Sequence, residues 1–175
     1  REFFAGTVYV LDVLQDFSFE KDIETSIFDS VVLPFAAKYH TVKLNADVNS
    51  LLWAEYTPNE PSVDEEGNEI PAEPTDLTAL SYSRIPSEGI LETDGVILSA
   101  DGTVTPKNPD TTVYLAAKFG DIYKTFCVKS LPYPFSDSIN HWAARTLYLA
   151  NRYGLMQGEP SEEGMIFSPE RNMSK

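Results

Sequence analysis

Cysteine is almost absent from this chain, and histidine is scarce. Its 175 residues include one cysteine, Cys127, so no internal disulfide can form. That alone points to a reducing compartment, although exported proteins often do without disulfides. The two histidines, His40 and His141, stand far apart, and no His/Cys cluster has the spacing of a zinc site. Positive charge is also short: 13 basic against 27 acidic residues leave a net charge of −14. Such a surface repels nucleic acid and anionic lipid, so neither is expected as a partner. No apolar run approaches membrane-spanning length, and no membrane insertion is expected. Nucleophile chemistry lacks its parts as well. There is no nucleophile elbow, neither histidine has a nearby Ser or Cys partner, and Cys127 falls inside a strand pattern. Carboxylates are too abundant for counting to decide against a glycosidase-like pair. The expectation is no catalytic residue, no cofactor and no metal.

What is present is apolar and aromatic material, 42% and 12% of the residues, enough for one medium domain or two small ones. It comes mainly in short runs of strand character. Thr7 to Leu14 is apolar on both faces, as in a strand buried on two sides. Residues 21–30 are mixed, and a helical turn or a loop fits equally. Pro34 bars a central strand position. Thr41 to Val48 alternates, with Val42, Leu44, Ala46 and Val48 on one side, which predicts a half-solvated antiparallel strand. Leu51 to Tyr56 is another strand candidate, and Leu77 to Ser83 is strand-like. Asp94-Gly95, Asp101-Gly102 and Gly120-Asp121 are turn formers between further short strands. The last of these predicts a hairpin of Thr111–Phe119 with Ile122–Val128, with Val113, Leu115 and Ala117 sharing one face.

Residues 57–76 break this pattern with four prolines and a high carboxylate density. They read as a solvated, mobile insertion, a hairpin with its tip at Glu66-Gly67-Asn68. Asp64, Glu65, Glu66 and Glu69 supply oxygen ligands, but their spacing does not match an Asp-x-Asp-x-Asp-Gly calcium loop, so a solvated charged loop is expected.

Many short strands without intervening helices predict a mainly β protein, a β-sandwich. Residues 28–131 resemble the "atrophied" bacterial immunoglobulin-like cell-surface domains. The resemblance is carried by Leu33-Pro34, Trp53, the segment Val96 to Pro106 (VILSADGTVTP), and the hairpin Val113 to Val128. It implies an immunoglobulin-like sandwich over residues 1–131, with a strand-rich N-terminal extension and the acidic insertion. Leu131-Pro132-Tyr133-Pro134 then reads as a short stiff linker, centred on residues 132–134.

The tail, residues 135–175, is of another kind. Asp137 or Ser138 can cap a helix. Trp142, Thr146, Leu149, Ala150 and Tyr153 fall on one helical face, and Gly154 suits the left-handed position after the helix end. An acidic glycine-bearing loop and an aromatic-Ser-Pro corner follow. Ser174 then caps a second helix whose first residue is Lys175. Phe135, Asp137, His141, Trp142, Ala143, Gly154, Leu155, Gly158, Phe167 and Pro169 match one S-layer homology motif, so residues 135–175 resemble a partial member of that family. The usual Thr-Arg-Ala-Glu start of its second helix is here Ser174-Lys175, and the usual three motifs are here most of one. The chain is therefore expected to be a piece of a longer protein.

The resemblance implies a secreted, wall-attached protein at the cell surface. Its expected partner is secondary cell-wall polysaccharide, often an acetylated amino sugar carrying a pyruvate acetal. Trp142 is read either as a stacking surface for a sugar or as a residue packed under the helix. Lys175 is read either as the cation for a pyruvate carboxylate or as a free chain end. With the second helix absent, the apolar helix face is expected to fold onto the β-domain or to pair with another copy. Two alternatives stay open: an accessory region of a secreted polysaccharide-degrading enzyme, and a sandwich that itself binds carbohydrate.

Overall fold

The computed structural model describes residues 14–39 and 48–170. The strand expected at Thr7 to Leu14 lies outside them except for Leu14. The one expected at Thr41 to Val48 lies outside except for Val48, which opens a short 3-10 turn, Val48–Ser50.

The protein is mainly β. In chain order the strands are β1 (Leu14–Phe19), β2 (Ile23–Thr25), β3 (Val31–Val32), β4 (Phe35–Tyr39), β5 (Leu52–Tyr56), β6 (Ser62–Val63), β7 (Glu69–Ile70), β8 (Ser83–Arg84), β9 (Ile90–Glu92), β10 (Val96–Ser99), β11 (Thr103–Pro106), β12 (Thr112–Phe119) and β13 (Ile122–Ser130). Among the described residues one α-helix, α1 (Ala144–Arg152), and a small ribbon, β14 (Glu159–Ser161) with β15 (Gly164–Ile166), follow. One sheet runs β3-β11-β10-β9 and a second runs β2-β13-β12-β5-β8. The second is mixed, because β2 lies parallel to β13 while the other pairs are antiparallel.

One core is shared by residues of both sheets, the arrangement of a β-sandwich. Alternation along each strand decides which residues fill it. Val113, Leu115 and Ala117 of β12 point inward with Phe126 and Val128 of β13. Trp53 of β5, Val96 and Leu98 of β10, and Val104 of β11 join them, all at most 1% exposed. Phe17 and Phe19 of β1 and Phe35 of β4 extend the same core. Phe19 lies 4.2 Å from the ring centre of Phe126 and 5.8 Å from that of Trp53. Replacing an aromatic of this kind by alanine removes burial and leaves a void, about 3–5 kcal/mol.

Gly120-Asp121 makes the tight turn between β12 and β13, with Gly120 at φ 57°. Gly102 follows Asp101 at φ 83°, and the Asp101 carboxylate accepts from the amide and hydroxyl of Thr103. Gly95 is needed for another reason: a Cβ there would lie 2.4 Å from Val113 Cγ2. Its amide donates to Glu55 Oε2 at 2.9 Å.

The excursion between β5 and β8 is largely exposed, as its composition predicts. The expected hairpin forms as β6–β7, and Asp64 organises its tip by accepting from the amides of Glu66 and Asn68 and from Asn68 Nδ2. Its stem is tied where Asn59 Nδ2 donates to the Glu73 carbonyl and the Asn59 amide donates to Thr75 Oγ1. Leu77 to Ser83 is not the expected strand. Asp76 caps a 3-10 turn at Leu77–Ala79, and pairing resumes only at β8. Tyr82, whose hydroxyl donates to the Leu77 carbonyl, stacks on Tyr123 of β13, on the sheet face opposite the core.

Candidate functional site

The tail was expected to carry the function, and its geometry begins at Phe135. This ring is 1% exposed and packs on Phe167 (5.7 Å between centres) and edge-on to Tyr133 (6.1 Å). Gly158 closes on it from the far side. A Cβ at Gly158 would lie 2.7 Å from both Phe135 Cε1 and the Ile166 carbonyl oxygen, and its φ is +73°. Glycine is the residue that meets both demands.

Asp137 does not cap α1. Its carboxylate accepts from the amides of Phe167 (3.0 Å) and Ser168 (2.7 Å), which pins the aromatic-Ser-Pro corner to the start of the tail. Desolvation pulls this carboxyl upward, but the two amides and neighbouring donors outweigh it and hold it below its ordinary value. Ser138 does not cap the helix either: it is buried, with its Oγ 3.1 Å from the Tyr133 hydroxyl. The helix starts at Ala143 with no side-chain cap. Instead the Ala143 amide donates to His141 Nδ1 at 3.2 Å. With Nδ1 accepting, the neutral ring carries its proton on Nε2, which lies 3.2 Å from Glu170 Oε1.

The helix end matches expectation. Gly154 has φ 70°, and its amide donates to the Asn151 carbonyl while that of Leu155 donates to Ala150. This pair of bonds is a Schellman closure.

The buried face of α1 is not the expected one. Ala144, Leu147 and Tyr148 are buried, while Thr146 and Tyr153 are exposed. Trp142 lies before the helix, so it does not belong to the helical stripe. A different partner selects the face: Tyr148 packs on Phe28 (5.4 Å), which also contacts Tyr133 (5.9 Å). Phe28 follows β2, so the helix seats on the sandwich. The Tyr133 hydroxyl donates toward the Ala144 carbonyl at 3.3 Å, so this linker residue takes part in the seat.

Trp142, the candidate stacking residue, is 90% exposed, with its ring 5.2 Å from that of His141. It is therefore not packed under the helix. Tyr153 (74% exposed), Leu155 (78%) and Met156 are also open to solvent. Lys175 and the helix start at Ser174 lie outside the described residues. Asp137's role in the corner is the feature that sequence reading missed. Only its pairing with Phe167, far along the chain, could have pointed to it.

Elsewhere, Cys127 is half-buried, and desolvation, followed by the nearby Asp22 carboxylate, pushes its thiol up. That disfavours a reactive thiolate. Among the described residues no group of three His, Cys, Asp or Glu is placed to hold a metal ion. No helix among them is long and apolar enough to cross a membrane. Searches of family models, curated proteins and solved structures find nothing that matches this chain.

Proposed function

We propose that the chain is a non-catalytic part of a bacterial cell-surface protein. In this reading residues 1–131 are an immunoglobulin-like spacer or adhesion module. Residues 132–134 join it to residues 135–175, a partial S-layer homology motif that works in wall anchoring. Its partner is secondary cell-wall polysaccharide at the surface of a secreted, wall-attached protein.

The observation that carries the reading is a division of labour among the motif residues. Phe135, Asp137, His141, Gly154 and Gly158 close the tail on itself by packing, hydrogen bonds and backbone conformation. Trp142 and Leu155, by contrast, face solvent. A compact unit that keeps an indole and a leucine outward supports a surface for a sugar face, for sister repeats or for a second copy. Lys175 would bring a cation to an acidic sugar substituent, as a point charge rather than a two-pronged contact.

One motif offers one weak contact, so single chains are expected to bind wall polymer weakly or not at all, and clustered chains to bind through avidity. The test is retention of chain-coated beads on purified peptidoglycan with its polymer attached or chemically removed. Polymer-dependent retention lost in Trp142→Ala supports the proposal. Absence of retention at any bead density, or tight binding by single chains, counts against it.

A further inference from the structure

The outer face of the five-stranded sheet carries two tyrosine pairs of nearly the same geometry. Tyr82 and Tyr123 have ring centres 6.0 Å apart at 58°. Tyr56 of β5 and Tyr114 of β12, direct cross-strand neighbours, have centres 6.1 Å apart at 55°. The first pair holds a cation of the chain's own. Lys118 Nζ lies 5.6 Å from the centre of Tyr82 and 5.2 Å from that of Tyr123. The negative faces of the rings attract it.

The second pair opens on a cleft of about 400 Å³ lined by Asp22, Tyr56, Tyr114, Thr125 and Cys127. A neighbouring lobe of about 300 Å³ shares Tyr56 and Thr125 with it and adds Asn59 and Glu73. Among the described residues no Lys or Arg lines either lobe. Asp22 is held at the edge, its Oδ1 accepting from the Cys127 amide at 2.9 Å. The cleft thus offers two aromatic rings, hydrogen-bonding side chains and two carboxylates, while Lys129 beside Cys127 is paired with Glu24 at 3.5 Å, in a chain of net charge −14.

From this we infer that the Tyr56–Tyr114 cleft is a binding site for an aliphatic ammonium group. It takes from a ligand what Lys118 supplies to Tyr82 and Tyr123. The ammonium lies against the tyrosine rings with Asp22 as its counter-charge, and Asn59 and Thr125 are placed to meet polar groups beside it. A lysine side chain and an unacetylated amino sugar both present this chemistry. An acidic sugar is repelled by Asp22 and Glu73. The inference does not depend on the tail being a wall anchor.

The test is a two-dimensional amide NMR titration of the full chain with three probes. Nα-acetyl-lysine methylamide and glucosamine carry the ammonium; N-acetylglucosamine is the neutral control. The expected result is saturable shifts at Tyr56, Tyr114, Thr125 and Cys127 with the cationic probes, and none with the neutral one. The cation that binds more tightly identifies the source. Tyr114→Ala, at a partly exposed position, is expected to weaken binding about tenfold. Asp22→Asn keeps an oxygen for the Cys127 amide and is expected to weaken it about threefold. Lys118→Ala is expected to gain a second set of shifts at Tyr82 and Tyr123. Absence of shifts with both cations overturns the inference. So do equal shifts with N-acetylglucosamine, or binding indifferent to both Tyr114→Ala and Asp22→Asn in variants whose spectra show the native fold.

Discussion

The carboxylate of Asp137 accepts hydrogen bonds from the amides of both Phe167 and Ser168, at 3.0 and 2.7 Å, and so joins the start of the tail to its aromatic-Ser-Pro corner. Ser168 sits at φ 55°, an uncommon conformation for a residue with a side chain. Two amides converging on one carboxylate offset that strain. The folded carboxyl titrates below its ordinary value of 3.8. Its contribution is therefore complete above that value and is lost as the pH falls through the lower folded one. Hydrogen exchange at Phe167 and Ser168 is expected to quicken in that acid range. Asp137→Ala should bring the same loosening at neutral pH, with a loss of about 0.5–1.5 kcal/mol in local stability because the carboxylate is exposed.

Gly154 and Gly158 both have positive φ, and their alanine variants should differ. A Cβ at Gly154 meets nothing within 4 Å, so only backbone conformation opposes Gly154→Ala, about 1 kcal/mol. At Gly158 the added carbon runs into Phe135 and the Ile166 carbonyl, which adds about 1–3 kcal/mol of overpacking. Denaturant unfolding followed at tail resonances should rank Gly158→Ala well below Gly154→Ala. Equal losses would show that the Phe135 contact has little weight.

Phe28→Ala tests the joint between helix and sandwich. It removes the ring that touches both Tyr133 and Tyr148, with an expected loss of about 2 kcal/mol for a half-buried aromatic. The Arg152–Asp29 ion pair across the same joint is long, at 4.0 Å, and largely exposed. Its loss in Arg152→Ala should therefore matter little. Limited proteolysis is expected to cut near residues 131–134 in Phe28→Ala and not in Arg152→Ala.

The sandwich was legible where alternation and turn chemistry acted locally. The β12–β13 hairpin and its inward residues follow from Gly120-Asp121 and period-two spacing, as does the Gly154 helix stop. Reading failed where a distant partner decided. Asp137 resembles a helix cap until Phe167 and Ser168 are known to face it. The apolar positions around α1 form two overlapping stripes, one through Leu149 and Tyr153 and one through Ala144, Leu147 and Tyr148. Only Phe28, from the sandwich, selects the second. Gly95 reads as a turn former, yet what requires it is the closeness of Val113. The insertion at 57–76 is as solvated as its composition says, whereas the strand expected at Leu77 to Ser83 gives way to a 3-10 turn because Asp76 caps it and Tyr82 turns back onto Tyr123.

Trp142→Ala is expected to leave stability within about 0.5 kcal/mol of the parent, since the indole is 90% exposed. That separates recognition from folding at this position. The most direct measurement of the anchoring account is therefore the retention of bead-clustered chains on polymer-bearing peptidoglycan, parent against Trp142→Ala. The account predicts retention by the parent that disappears when the polymer is stripped and when Trp142 is removed. Equal retention by both chains, or retention that survives stripping of the polymer, would contradict it.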